Sequence, residues 1–116
     1  MAVSPDGVIW DGMRLPGLGR HQARNAALAA ALCADLPHDA VRRGIEATEL
    51  PACCELFRGS PPLLIDGAHN LSSVRALLGV LRDHLPGRRP VLVFALSQDK
   101  DAGAIARELA PAAARV

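Results

Sequence analysis

Two short apolar runs, Val8-Ile9-Trp10 and Met13-Arg14-Leu15, flank Asp11-Gly12, the two-residue signature of a tight hairpin turn, so the chain is predicted to begin inside a sheet. The breaker run Pro16-Gly17-Leu18-Gly19 follows. Helical spacing then sets in near Arg20 and lasts to about Leu36, where Pro37 stops it. Its stripe reads His21, Asn25, Leu28, Leu32 and Leu36, at steps of four, three, four and four, which predicts that two polar side chains share a face with buried leucines. Val41 and Ile45, one turn apart, predict a second helix from His38 to Glu46, weakened by Gly44.

Thr48 to Pro51 reads as a connector between two structural units. Beyond it, Cys53 to Phe57 has strand character, Arg58-Gly59-Ser60-Pro61 is a turn, and Pro62-Leu63-Leu64-Ile65 is apolar throughout, the pattern of a strand covered on both faces. After Asp66-Gly67-Ala68-His69-Asn70 a helix is expected from about Ser72 to Leu85. Val74, Leu77, Leu78, Leu81 and Leu85 line one side of it, and Ser72 or Ser73 serves as its cap. Pro90 to Leu96 is predicted as another buried strand, Ser97 to Asp101 as a polar loop, and Ala102 to Leu109 as a final helix. Strands alternating with helices give an α/β fold whose second half begins a right-handed, mostly parallel sheet.

Composition narrows the picture. Half of the 116 residues are hydrophobic but only 3% are aromatic, so the core is built from Ala, Leu, Val and Ile. A net charge of +1 offers no electrostatic reason for a nucleic-acid or membrane partner. Lys100 is the one lysine among thirteen cations. The longest apolar stretch, Ala26 to Cys33, is too short to span a bilayer, and no signal peptide follows Met1, so a cytoplasmic protein is expected. Cys33, Cys53 and Cys54 have neither the number nor the spacing of a disulfide framework or a zinc site; Cys53 and Cys54 read as small apolar residues on a strand, and no metal ligands are assigned.

Ligands in open α/β sheets bind beyond the carboxyl ends of the strands, and both polar loops, Asp66 to Asn70 and Ser97 to Asp101, lie at such ends and should sit side by side. A strand-end aspartate can accept hydrogen bonds from ribose hydroxyls, and an imidazole or ammonium can meet phosphate oxygens, which together are the demands of a nucleotide. The alternative is that Asp66 caps the following turn, that His69 is a satisfied loop histidine and that Asp99-Lys100-Asp101 is a solvated helix start. His21 and Asn25, a helical turn apart, either present a ring and an amide to a planar base or satisfy free backbone amides.

Three ordered segments resemble motifs of the folylpolyglutamate synthase and dihydrofolate synthase family, within the Mur ligase superfamily. They are Leu15-Pro16-Gly17 with Gly19-Arg20-His21-Gln22-Ala23-Arg24-Asn25-Ala26-Ala27, Leu63-Leu64-Ile65-Asp66-Gly67-Ala68-His69-Asn70, and Val93-Phe94 with Asp99-Lys100-Asp101. The resemblance implies that residues 1–47 are the end of a central ATPase domain (hairpin plus helices) and that residues 52–116 start a Rossmann-like C-terminal domain. It also implies an ATP-dependent ligase that joins glutamate to folate or dihydropteroate through an acyl phosphate, using ATP and Mg2+. By position, Asn25 would meet the adenine, Asp66 the ribose and His69 the phosphates, with His21 and Lys100 in support; His69 and Lys100 would then be the catalytic pair.

Three departures stand out. No GxxxxGK[ST] phosphate loop is present, so neither the triphosphate nor magnesium has its usual bed. Pro51-Ala52-Cys53 stands where the family has Pro-Gly-Arg, and a thiol cannot replace a guanidinium at a terminal phosphate. Leu71 replaces a customary proline after Asn70. The expectation is a C-terminal piece of such a ligase, inactive alone. A nucleotide-binding module without catalysis, the partner chain of a split ligase assembled with an N-terminal chain, and another Mur-superfamily amide ligase stand beside it.

Overall fold

The computed structural model describes the backbone of residues 2–4 and 7–10 and the whole of residues 12–115. β1 (Ala2–Ser4), β2 (Gly7–Trp10) and β3 (Met13–Leu15) form an antiparallel sheet in that order. The predicted hairpin is its β2–β3 pair, with Trp10 opposite Met13. Asp11 of the turn lies outside the described residues; Gly12, at φ +73°, takes the left-handed conformation that such a turn requires. β1 escaped prediction because three residues are too few to register an alternation.

α1 (His21–Leu32) and α2 (His38–Glu46) pack on this sheet, α2 with the bounds its apolar spacing predicts. The expected leucine core of α1 is overturned. Leu28, Leu32 and Leu36 are 63%, 80% and 57% exposed, whereas Gln22, Ala23 and Ala26 are buried. At about 100° per residue, Ala23 and Ala26 lie on a different side of the helix from the leucine stripe. These small side chains let α1 sit close on Met13 and Leu15, with Ile45 of α2 completing the cluster. His21 and Asn25 do lie on the leucine side; Asn25 and the leucines face outward, while His21, at the helix start, is half-buried.

β4 (Glu55–Phe57) and β5 (Leu63–Ile65) form a second antiparallel pair, with Leu56 opposite Leu64. α3 (Leu71–His84) and α4 (Ala102–Leu109) follow, then a 3-10 turn at Ala110–Ala112. The cap of α3 is Asn70 rather than Ser72 or Ser73: its Oδ1 accepts from the Ser73 backbone N–H at 2.9 Å, and Ser73 Oγ accepts from the Asn70 backbone N–H at 3.2 Å.

Other expectations are corrected here. Cys53 and Cys54 occupy the turn before β4, where Ala52 and Cys54 have φ of 55° and 54°. β5 is not covered on both faces, since Leu63 and Ile65 are 56% and 39% exposed. Residues 90–96 run without a ladder apart from one parallel bridge between Val91 and Arg115. With no neighbouring strand among the described residues, Val91 and Val93 face solvent at 69% and 93% exposure, while Leu92 and Leu96 pack on Val74, Ile105 and Leu109. The fold is of the mixed helix-and-strand class expected. Its ladders are antiparallel, however, and parallel order among the described residues is confined to that single bridge.

The two sheets are joined by a core of Leu18, Cys54 and Val80, against which Leu56, Leu64 and Leu77 pack. Val74 and Val80 are fully buried, and each such side chain contributes about 1.5–3 kcal/mol relative to exposure. Gly19 makes this junction possible: at φ +101°, a Cβ there would sit 2.6 Å from Val80 Cγ2.

Candidate functional site

The glycines at 17 and 19 turn the chain tightly from β3 into α1 and bring His21, the first residue of α1, against the second half of the molecule. A Cβ on Gly19 would lie 2.7 Å from His21 Nδ1, and one on Gly17 would lie 3.2 Å from the Cys53 carbonyl oxygen. Loop 16–19 therefore touches both the imidazole and the turn at 51–54 because it carries no side chains at these positions.

That turn is stitched to the loop after β5. The Gly67 N–H donates to the Ala52 carbonyl at 2.7 Å. The Asp66 carboxylate reaches back as well: Oδ2 accepts from the Cys54 N–H at 2.8 Å and from its thiol at 3.1 Å, while Oδ1 accepts from the Ala68 N–H at 2.8 Å. A carboxylate has about four acceptor positions, of which three are used, so one direction on Oδ1 is left for a ligand hydroxyl. Burial first, and the Asp66 carboxylate second, push the Cys54 thiol far above its ordinary range. It remains a protonated donor.

His21 is half-buried, and that burial lowers its pKa below the ordinary histidine value, an effect partly offset by the negative charge of Asp66. A neutral imidazole and an ionisable carboxylate thus share one neighbourhood, although 45 residues separate them in sequence. Asn25 stands one turn further along α1, exposed, with Nδ2 donating to Gln22 Oε1 at 3.1 Å.

His69 is exposed, its Nδ1 2.9 Å from the Gly67 carbonyl oxygen. A carbonyl only accepts, so Nδ1 carries the proton and Nε2 is left as the group available to a ligand. Lys100 Nζ lies 2.7 Å from Asp99 Oδ2. The Lys100 ammonium, then the Ser97 hydroxyl, hold the Asp99 carboxyl below the usual range, and His69 adds to the effect. The loops at 66–70 and 97–101 therefore lie near one another, as expected, although residues 90–96 before the second loop form no strand. Asp101 spends its Oδ1 capping α4 through the Ala104 N–H at 2.8 Å.

The five predicted residues thus fall into two neighbourhoods: His21, Asn25 and Asp66 around the start of α1, and His69 with Lys100 between the polar loops. The sequence reading missed Gln22, Ala52 and Cys54. The Gln22/Asn25 spacing of three, which places two amides on adjacent positions of a helix surface, was a usable signal for the first; the Cys54–Asp66 link is long-range and left none. A separate cleft of about 830 Å³ runs past Arg14, Gly17, Thr48, Glu49, Cys54 and Arg58 and is lined by none of the five. Among the described residues, no three His, Cys, Asp or Glu side chains converge as a metal site, and no helix is long and apolar enough to cross a membrane.

Comparison with known proteins points to one family. Residues 54–116 match the family described as Mur ligase, glutamate ligase domain. The chain is 37% identical over 112 residues to a Halobacterium salinarum protein named a probable bifunctional folylpolyglutamate synthase/dihydropteroate synthase, a match covering 93% of this chain and 14% of that one. It is 35% identical to the dihydrofolate synthase/folylpolyglutamate synthase of Mycobacterium tuberculosis, over 90% of this chain and 23% of that protein. The crystal structure of Mycobacterium tuberculosis folylpolyglutamate synthase complexed with ADP and AMPPCP superposes with a TM-score of 0.76 at 36% identity, covering 90% of this chain and 25% of that one. The chain thus spans a quarter or less of the length of each of these relatives.

Proposed function

Because the chain belongs to the Mur ligase family, matching its glutamate ligase domain, we propose that it supplies one wall of the ATP site of a ligase joining glutamate to folate or dihydropteroate. The observation that carries this reading is the meeting of the α1 start with the Asp66 loop, where His21 feels the Asp66 charge across the Cys54 turn. Three groups suit a nucleotide: an exposed carboxamide at Asn25 for the base, the remaining acceptor direction of Asp66 for a ribose hydroxyl, and the His69 ring, which in its doubly protonated form donates from Nε2 to a phosphate oxygen. Lys100, in the neighbouring polar loop, adds an ammonium. The complex of the tuberculosis relative with ADP and AMPPCP supports the same reading. In this assignment residues 1–47 end the ATPase domain and residues 52–116 begin the C-terminal ligase domain, and the protein works in the cytoplasm.

In such a ligase the terminal phosphoryl group of ATP passes to the acceptor carboxylate, and the glutamate amine then displaces phosphate from the acyl phosphate. These 116 residues hold and orient the nucleotide; they do not provide the bed for the transferred group. No phosphate loop occurs in the sequence, and the described residues offer no ligand set for Mg2+. Cys53, exposed in the turn at 51–54, stands where the family arginine would meet the terminal phosphate. The chain alone is therefore inactive in this reading.

A second reading, the partner chain of a split ligase, is favoured by the apolar surface left open at Leu28, Leu32, Val91 and Val93. One experiment addresses both. Titration of the chain with ADP should give saturable binding that Asn25→Ala and His69→Ala weaken, with no glutamate-dependent ATP hydrolysis. Hydrolysis by the chain alone would overturn the assignment of the phosphate chemistry, and binding indifferent to both substitutions would overturn the site. Turnover appearing only on addition of a chain bearing a phosphate loop would establish the split form.

A further inference from the structure

Gln22 is the one buried amide of α1, 5% exposed, and nothing above gives it a role in nucleotide recognition. It sits under the glycine loop: a Cβ on Gly17 would lie 3.4 Å from its Nε2 as well as 3.2 Å from the Cys53 carbonyl oxygen. Gly17, at φ +71°, is thus the only residue type that fits without crowding the glutamine. A side chain enclosed in this way has little freedom to turn its amide. Its Oε1 accepts a hydrogen bond of 3.1 Å from Nδ2 of the exposed Asn25.

We propose that Gln22 is a specificity-determining positioning residue, which fixes the carboxamide of Asn25 in the one orientation that reads adenine. The inference rests on the reading of Asn25 as the contact to the base. An exposed asparagine can rotate its amide by half a turn and present oxygen or nitrogen on either side. Here the flipped state would set Oδ1 of Asn25 against Oε1 of Gln22, two acceptors with no proton between them. The observed state commits one Nδ2 proton to Gln22 and leaves one N–H donor and the Oδ1 acceptor for a ligand. Adenine presents the complementary pair, the N6 amino donor and the N7 acceptor, whereas guanine presents two acceptors at O6 and N7. Oδ1 would then face guanine O6 across an unfilled contact.

The test is competitive titration of the chain with ADP and GDP, for wild type, Gln22→Met, Gln22→Glu and Asn25→Ala. Methionine keeps the volume and removes the acceptor; glutamate restores it. The expected result is a preference for ADP that falls roughly twofold in Gln22→Met, the factor for freeing a two-state amide flip, through weaker ADP binding with GDP little changed, and that returns in Gln22→Glu. If Gln22→Met keeps the preference while Asn25→Ala loses it, the inference fails and the site stands. Equal weakening of both nucleotides in Gln22→Met would show a merely structural role and also overturn it. Wild type binding neither nucleotide, or both alike, removes the reading of the site and the inference together. Should Gln22→Met fail to fold, the Asn25 side-chain amide resonances of the wild type decide: one slowly exchanging, shifted proton is expected, and two freely exchanging protons would refute the proposal.

Discussion

Arg20 Nε lies 2.8 Å from Asp83 Oδ2, a bond that ties the residue before α1 to the last turn of α3 across 63 positions of sequence. It spans the same junction as the Gly19–Val80 contact, so the start of α1 is held against α3 by a buried apolar contact beneath and an ion pair above. The hydrogen bond from Arg20 keeps the Asp83 carboxyl below its usual range.

The pair is a minor stabiliser because the Arg20 side chain is 64% exposed. Arg20→Ala should cost about 0.2–1 kcal/mol, less at high salt, measured as the shift in urea midpoint at two ionic strengths. The sign with pH follows from the lowered carboxyl: its contribution is present above the ordinary aspartate range and is lost as pH falls through the folded value. The cost of the substitution should therefore disappear in acid.

Ala52 holds a left-handed backbone, φ 55°, which an L residue occupies at a cost of roughly 1 kcal/mol. Ala52→Gly should relieve that cost, and part of the gain will be lost to the freer unfolded chain. A net stabilisation of some tenths of a kcal/mol up to about 1 kcal/mol is expected by thermal denaturation. A destabilised variant would mean that the Ala52 methyl packs better than its half-buried position indicates.

The three thiols should separate by reactivity. Cys53 is exposed, Cys33 half-buried and Cys54 buried with its thiol donating to Asp66. A thiolate-selective reagent at pH 8 should label Cys53 first and leave Cys54 untouched until denaturant is added. Cys54→Ala removes the donor beneath Asp66 without adding a β-branch at the left-handed backbone and should cost about 1–3 kcal/mol, whereas Cys54→Ser, which keeps the donor, should cost less.

His21 makes stability depend on pH near neutrality. Its folded pKa lies below the ordinary 6.5, so between the two values the unfolded chain binds more protons than the native one. Stability is therefore full above 6.5 and declines as pH falls through the folded value. His21→Gln should flatten the denaturation midpoint across pH 5 to 7, and an unchanged slope would mean that the imidazole is not desolvated by this junction.

Elements whose signals are local were legible in the chain. α2 and α4 have the bounds set by their apolar spacing, and Pro86 falls just beyond the end of α3, whereas α1 stops at Leu32, four residues short of the Leu36 expected from Pro37. Legibility failed where a long-range partner decides the outcome. The leucines of α1 satisfy helical periodicity, yet contact with β3 is made by Ala23 and Ala26, because small residues allow the closer approach. Residues 90–96 carry strand composition, but a strand needs a neighbour, and among the described residues only Arg115 supplies one. For the site, Asp66 and His69 announced themselves by residue type at a strand end. The anchoring of Asp66 by Cys54 depends on a turn that brings positions twelve apart into contact, which no pattern of spacing encodes.

The unladdered stretch at 90–96 has a consequence for handling the molecule. Its backbone groups and the outward side chains of Val91 and Val93 form an open template onto which a second extended chain can add, the geometry that seeds cross-β growth. Concentrated stocks should thicken with time into thioflavin-positive material. A lysine in place of Val93, nearly all of whose surface already faces water, is the substitution that should keep them clear.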